Sequence, residues 1–354
     1  EKGFSPAQGA RPLRRAVERW FLSPLATAIV NRDAPSGDQF LFVRSDGRRI
    51  EVVFVDPDAP EPGPEGERVE PVEVPAGLTL GHVALDGHGA PEEVAFLAQS
   101  FERLAGEVRG EAWREAHDAT LERLAEGGFW ESPERFTVLS EVEFRERVER
   151  GLASAERLLG RLRSTGRGAT PQVARQLAQQ LHLLEAATRT QLEDLPRDAF
   201  LSVEALRDPR DGTLAAGFAR RLVDMYRTWA ASRRMRLDEL EQVDAGQAWR
   251  WTAAVSGYGA HELLRPEAGW HVLELDAQGE HSRQRVRVSV LPQPERPLRE
   301  PLDEARRALA GHATKEARVV RRYREEPSPL VRDAVRGLRT GRIDRVLGGD
   351  FDLL

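Results

Sequence analysis

The sequence contains no cysteine, which excludes disulfides, thiolate catalysis and cysteine-ligated metals. No apolar run approaches the roughly 20 residues that a membrane-spanning helix needs. The N-terminal residues also lack the pattern of a secretory signal peptide. We therefore expect a cytoplasmic protein that makes no contact with a membrane.

Several catalytic signatures are missing as well. The chain has no G-x-x-x-x-G-K-[ST] phosphate loop, no H-E-x-x-H metal pair and no G-x-S-x-G nucleophile turn. None of the 8 histidines has the tight spacing of metal ligands. Asp350 and Asp352 are paired carboxylates, but polar residues at a helix end are a simpler interpretation than acid–base catalysis. We predict no catalytic residue, no metal site and no bound cofactor in this chain.

The 354 residues are enough for two or three domains. With 40% hydrophobic and 31% charged residues, the composition is that of a globular protein. The formal net charge is -6, so any contact with RNA requires a local basic patch. Because residue 1 is Glu1 and not Met, we expect the chain to be part of a longer protein.

Residues 1–56 combine helix-start and hairpin signals. Pro12 suits the first turn of a helix, and the apolar runs Phe40–Val43 and Ile50–Val55 flank an Asp46-Gly47 turn. The motifs are Gly3-Phe4-Ser5-Pro6, Gly9-Ala10-Arg11-Pro12-Leu13-Arg14-Arg15 and Pro24-Leu25-Ala26. They resemble the C-terminal small domain, or lid, of the second ATPase module of ClpA/ClpB-type AAA+ unfoldases.

This resemblance assigns a role to Arg11. In that family the matching arginine senses the terminal phosphates of ATP, and a guanidinium suits phosphate oxygens. The nucleotide and its Mg²⁺ would be held by an upstream AAA+ module, through which the chain would join a homo-hexamer. The alternative is that Arg11 is a surface arginine at a helix start.

The middle of the chain contains a Pro-, Glu- and Gly-rich segment followed by a segment with helical spacing of apolar residues. Residues 57–90 are rich in Pro, Glu and Gly, which predicts a semi-rigid linker, with a short strand at Thr79–Leu85. From Pro91 to residue 196 the apolar residues follow helical spacing, interrupted at Gly127-Gly128. We predict a bundle or hairpin of long helices.

Residues 197–354 alternate between strand and helix patterns. Phe200–Ala205 reads as a strand, a helix follows through Trp229, and further strands and a helical turn come after it. The predicted order, β-α-β-β-α-β-β, indicates an α+β sandwich with helices packed on one sheet.

Residues 92–354 resemble the bacterial class I peptide chain release factors. The resemblance lies in Gly128-Phe129-Trp130-Glu131-Ser132-Pro133-Glu134, Phe200-Leu201-Ser202-Val203, Met225-Tyr226-Arg227-Thr228-Trp229-Ala230, Gly257-Tyr258-Gly259-Ala260-His261, Glu267-Ala268-Gly269-Trp270-His271 and Val346-Leu347-Gly348-Gly349-Asp350-Phe351-Asp352. It implies a helical domain followed by an α+β core.

Two functional elements of the release factors are missing from this sequence. The sequence has no Gly-Gly-Gln, and a connector with a short helix lies between Pro292 and Arg318, where the hydrolytic domain belongs. Leu273–His281 corresponds to the codon-reading loop, but it lacks Ser-Pro-Phe and carries acidic residues that would repel RNA. We therefore predict a release-factor scaffold that is not a peptidyl-tRNA hydrolase.

Arginine clusters are the candidate contacts with RNA or a partner. They comprise Arg233, Arg234, Arg236, Arg283, Arg285, Arg287, Arg318, Arg321 and Arg322. A solvated protein surface is the alternative for each cluster. Trp249, Trp251 and Trp270 could stack on bases or pack in the core.

The predicted fold class is a multidomain α+β protein. Its parts are an α/β lid domain (1–56), a linker (57–90), a helical domain (91–196) and a release factor-like core (197–354). The favoured function is a non-catalytic part of a Clp-type unfoldase that targets the motor to a ribosome, a stalled translation complex or another client. The alternative is a protein-interaction module that braces or regulates the AAA+ ring without RNA.

Overall fold

The computed structural model describes residues 74–164, 171–206, 215–246, 248–277, 280–311 and 318–354, together with the backbone of strands β1 (Phe40–Ser45) and β2 (Ile50–Val55). These two strands pair antiparallel, which confirms the predicted hairpin. Arg11 lies outside the described residues, so its role and the lid-domain fold stay predictions. The chain divides into two compact units, residues 1–67 and 68–354.

The second unit begins with helices. They are α1 (Leu80–Asp86), α2 (Pro91–Val108), α3 (Glu111–Ala125), α4 (Arg135–Ser164) and α5 (Pro171–Leu192). Their apolar stripes form one core, which confirms the predicted helical bundle. No helix within the described ranges is long and apolar enough to cross a membrane.

The strand predicted at Thr79–Leu85 is wrong, because this stretch forms α1. The Thr79 hydroxyl accepts a hydrogen bond from the backbone N–H of His82, which caps the helix. Leu80 and Val83, three residues apart, are buried in the helical core. Helical spacing therefore satisfies this apolar segment better than strand alternation does.

The rest of the unit is an α+β layer whose element order matches the prediction. Its elements are β3 (Ala199–Leu206), α6 (Ala216–Ser232), β4 (Arg236–Asp244), β5 (Ala248–Ser256), α7 (Ala260–Leu264), β6 (Gly269–Ala277), β7 (Glu280–Pro292), α8 (Pro301–Gly311), β8 (Val319–Arg324), β9 (Leu330–Asp333), β10 (Leu338–Thr340) and α9 (Ile343–Arg345). They build an 8-stranded sheet in the order β10-β9-β8-β6-β7-β3-β5-β4, in which only the β6–β8 pair is parallel.

Helix α6 covers one face of this sheet, called the inner face here. Phe218, Tyr226 and Trp229 of α6 pack there against buried residues such as Val286 and Trp251. Helix α8 instead packs through Ala305 on the opposite, outer face, against Phe200, Ala254 and Leu291 at one end of the strands. The helices therefore pack on one sheet, as predicted, with α6 and α8 on its opposite faces.

Gly349 fixes the C-terminal segment to α6. Its φ of +95° is left-handed, and a Cβ atom there would lie 2.7 Å from the backbone nitrogen of Trp229. Only glycine suits such a close backbone approach. The segment that follows carries Asp350 and Asp352 to the end of α6, where Arg233 lies.

Candidate nucleic-acid interface

Strand β7 presents arginine on one face and valine on the other. Val286 and Val288 are buried in the inner-face core, whereas Arg283 and Arg285 are exposed and Arg287 is half-buried. Successive residues of a strand point to opposite faces, so the three arginines share the outer face.

The pairing register places further arginines on the same outer face. Together they form what we call the arginine face: Arg250, Arg283, Arg285, Arg287, Arg322, Arg324, Arg332 and Arg339. Within it Arg285 and Arg322 lie in register on either side of Val272. Arg322 is directly opposite Arg332, which is directly opposite Arg339. We call Arg285, Arg322, Arg332 and Arg339 the arginine row.

Carboxylates reach only part of this surface. Glu274 lies 3.5 Å from Arg322, Glu241 lies 3.4 Å from Arg250, and Glu204 is in register between Arg250 and Arg287 on the same face. Arg285, Arg332 and Arg339 have no ion-pair or hydrogen-bond partner among the described residues. Like charges directly opposite each other in a sheet are destabilising, so the fold gains nothing from stacking Arg322, Arg332 and Arg339.

Trp270 lies beside the arginine row. It is in register between Arg287 of β7 and Val319 of β8, next to the exposed Arg318, and it is half-buried. Trp249 and Trp251 are fully buried in the inner-face core, so packing is their role. Of the three tryptophans considered for base stacking, Trp270 is the one that the structure leaves accessible.

Arg233 does not belong to any surface, and its prediction as a contact residue is wrong. Its side chain is 2% exposed, and its Nη2 atom lies 2.7 Å from Oδ1 of Asp352. A second carboxylate, that of Asp350, lies 3.2 Å away. Burial disfavours the charge, but the paired carboxylates more than offset it and raise the pKa of Arg233. Its charge therefore holds the C-terminal segment against α6.

Arg321 is a second correction, since it is also 2% exposed. Its Nη2 atom lies 2.7 Å from Glu267 and 2.7 Å from Asp333. Burial raises the pKa of Asp333, but Arg321 outweighs it and brings that pKa down to about 2. Both carboxylates are buried, so this arginine neutralises the interior and cannot reach a ligand.

His271 completes that buried network. Its Nδ1 atom lies 3.0 Å from the Tyr323 hydroxyl, and its Nε2 atom lies 3.0 Å from the backbone carbonyl of Glu267. Burial lowers the pKa of His271 to about 4 despite the nearby Glu267 carboxylate. Burial likewise raises the pKa of Tyr323 to about 12. His271 is therefore uncharged near neutral pH and is fully buried, which suits a structural role.

The remaining predicted contacts are exposed but apart from the arginine row. Arg234 follows the C-cap of α6, and Arg236 begins β4, where its Nε atom lies 2.8 Å from Asp238. In the sheet order, β4 is the edge strand opposite to β10. Arg318 is exposed next to Trp270 and is closer in register to the row.

A mixed cleft of about 530 Å³ lies between the start of α4 and the segment after β7. Phe136 and Leu139 line one side, and Arg197, Asp198 and Gln293 line another. Burial raises the pKa of Asp198 to about 6, although its carboxylate accepts a hydrogen bond from the backbone N–H of Gly257. No group of metal-ligating side chains occurs among the residues that the structure describes.

Only some residues of the arginine face were predicted from the sequence. Arg283, Arg285, Arg287 and Arg322 were predicted, while Arg250, Arg332 and Arg339 were missed. The missed residues would have required the pairing of β5, β9 and β10, which no local pattern provides. The connector after Pro292 contains α8, which confirms the short helix predicted there.

Family models match two stretches of the chain. Residues 1–42 match the C-terminal, D2-small domain of ClpB protein, and residues 115–289 match the PCRF domain. "Chaperone protein ClpB 1" of Synechocystis sp. (strain ATCC 27184 / PCC 6803 / Kazusa) is 38% identical over 72 residues, which are 20% of this chain and 8% of that protein. "Peptide chain release factor 1" of Paracoccus denitrificans (strain Pd 1222) is 37% identical over 124 residues, 32% of this chain and 35% of that protein.

A solved structure is also similar. "RF2 of Thermus thermophilus" has 17% identity and a TM-score of 0.37, covering 72% of this chain and 92% of that one. The chain spans only 8% and 35% of the length of the two relatives. Both resemblances drawn from the motifs are confirmed, and their order is consistent with a fusion of a ClpB small-domain segment to a release factor segment.

Proposed function

We propose that this chain, which joins these two segments, is a non-catalytic C-terminal part of a Clp-type AAA+ unfoldase or disaggregase. The release factor-like module carries the motor to a client, namely the ribosome or a stalled translation complex. ATP and Mg²⁺ bind in the upstream AAA+ module, Arg11 acts as its sensor arginine, and the motor is a homo-hexamer. No step of peptide release is assigned to this chain, whose sequence lacks Gly-Gly-Gln.

The arginine face is the observation that supports this proposal. A chain with net charge -6 is not drawn to RNA as a whole, so a concentrated cationic surface is needed. The release factor-like part carries such a surface, largely without internal carboxylate partners. Phosphate groups of ribosomal RNA are a polyanion that this surface fits by charge.

Co-sedimentation with purified bacterial ribosomes tests the proposal. The full chain is expected to pellet with ribosomes at low salt and to be released as salt rises, because phosphate contacts displace counterions. Nuclease digestion of the ribosomes should abolish pelleting. Absence of salt-sensitive pelleting above the level of a carrier protein contradicts ribosome targeting.

A second candidate function is a protein-interaction or assembly module that braces or regulates the AAA+ ring without RNA. Exposed apolar side chains favour it: Trp130 is 71% exposed, Leu121 48% and Phe136 45%, all in the helical part. Large apolar side chains that are exposed on a surface can serve as protein contacts. Retention of an AAA+ partner on the immobilised chain after nuclease treatment supports this candidate, and loss of the partner with the RNA contradicts it.

A further inference from the structure

We infer that the arginine row binds the backbone of a single RNA strand running across the sheet strands, with a base of that strand stacked on Trp270. This inference rests on the proposed function and specifies the class of nucleic acid that its surface takes. Three observations carry it: the register of the row, the absence of ion-pair partners for Arg285, Arg332 and Arg339 among the described residues, and the position of Trp270.

The register makes the row straight. Arg285, Arg322, Arg332 and Arg339 occupy one line perpendicular to the strands, with Val272 between the first two. With neighbouring strands about 4.8 Å apart, the line extends about 19 Å. Val272 is buried although it lies on this outer face, and the aliphatic stems of long arginine side chains can cover such a residue. The row is thus a linear cationic track.

The missing partners indicate an external anion. Arg332 and Arg339 are exposed neighbours in two short strands, and neither has a carboxylate partner in the described part of the chain. Their juxtaposition opposes sheet pairing, and local conflicts of this kind in a folded protein concentrate at functional sites. A line of phosphate groups removes the conflict by placing negative charge above each guanidinium.

The position of Trp270 favours single-stranded RNA over duplex RNA. An aromatic side chain next to a cationic track can stack on the base of a single strand, whose bases are free to splay out. In a duplex the bases are stacked inside and present only backbone to a flat protein surface. Trp270 is half-buried and lies two residues along β6 from Val272, on the same face as the arginine row, which favours binding of a single strand.

The binding test uses the full chain and a fluorescein-labelled oligouridylate of 12 nucleotides, with a 12-base-pair RNA duplex as the competing probe. If each arginine of the row neutralises one phosphate, the logarithmic salt dependence of binding has a slope of about −3 for the single strand. R332Q/R339Q should weaken binding about tenfold and reduce this slope by about half. The matched control R157Q/R163Q changes two exposed arginines of α4 and should leave both quantities unchanged.

The stacking test compares two apolar replacements of Trp270. W270F keeps an aromatic ring, whereas W270L keeps bulk without one, so both should fold as the wild type does. We expect W270L to lose about fivefold to a hundredfold in affinity for the single strand and W270F to retain most of it. Equal affinities of W270F and W270L overturn stacking, and a duplex that binds as tightly as the single strand overturns the strand assignment.

The outcomes separate this inference from the proposed function. Oligouridylate binding that depends on the row, without ribosome pelleting, refutes ribosome targeting and leaves the row as an RNA site. Ribosome pelleting that is unchanged in R332Q/R339Q refutes the row and leaves targeting to another surface.

Discussion

Arg321 and Arg322 are adjacent in β8, yet their guanidinium groups lie on opposite faces of the sheet. Arg321 lies on the inner face, where Glu267 and Asp333 neutralise it and solvent is excluded. Arg322 lies on the outer face, 37% exposed, in line with Arg332 and with one weak carboxylate contact to Glu274. The same residue type thus stabilises the interior in one position and is available to a ligand in the next, and burial with its partners decides which.

The largest effect is expected from removing the buried member of this pair. R321M leaves the buried carboxylates of Glu267 and Asp333 with Arg336 as their one remaining cation, at 2.9 and 3.1 Å, which should lower the free energy of unfolding by up to about 3–5 kcal/mol. Urea denaturation followed by circular dichroism measures it. R322M is the matched control and should change stability by no more than about 0.5 kcal/mol. Similar losses in the two variants contradict the assignment of opposite roles.

The buried network also predicts a pH dependence. The pKa of His271 is lowered from 6.5 to about 4, so between these values the unfolded chain binds a proton that the folded chain does not. Stability should therefore fall on acidification from pH 6.5 to 4, by about 3 kcal/mol from this group alone. H271Q should remove that contribution, and urea midpoints across this range measure it. An undiminished acid dependence in H271Q shows that the histidine is not held neutral.

Asp198, which lines the mixed cleft, should change the pH dependence of stability in the opposite direction from His271. Its pKa is raised from 3.8 to about 6, so between these values the folded chain binds the extra proton, and stability falls as pH rises through this range. D198N keeps the oxygen that accepts from Gly257 and removes the titration. We expect D198N to be stabilised relative to the wild type at pH 7 by up to about 3 kcal/mol, with the difference vanishing near pH 4. A constant difference across this range contradicts the shift.

The smallest effect on stability is expected at Trp130. Because this side chain is 71% exposed, W130S should change the free energy of unfolding by no more than about 0.5 kcal/mol. If the second candidate function holds, the same variant should lose its protein partner in a nuclease-treated pull-down. Partner binding that survives W130S contradicts a role of Trp130 in assembly.

The sequence predicted most of the element order, because long periodic segments such as α6 and the alternation of β7 are local signals. It could not separate Arg321 from Arg322, since that difference depends on Glu267, which is 54 residues away, and on Asp333 in a different strand. It also missed Arg332 and Arg339, because strands of 4 and 3 residues are too short to show a period. The helix at Leu80–Asp86 was missed because a short apolar run fits strand and helix alike until its packing is known.

One experiment tests the central claim, that the outward arginines and not the buried ones carry the module to its target. Wild type, R332Q/R339Q and R157Q/R163Q are co-sedimented with purified ribosomes over the same salt series, after equal stability of the three has been established. We expect R332Q/R339Q to be released at clearly lower salt than the wild type and R157Q/R163Q, which should be released at the same salt concentration. Identical release of all three, or no salt-sensitive pelleting of the wild type, contradicts it.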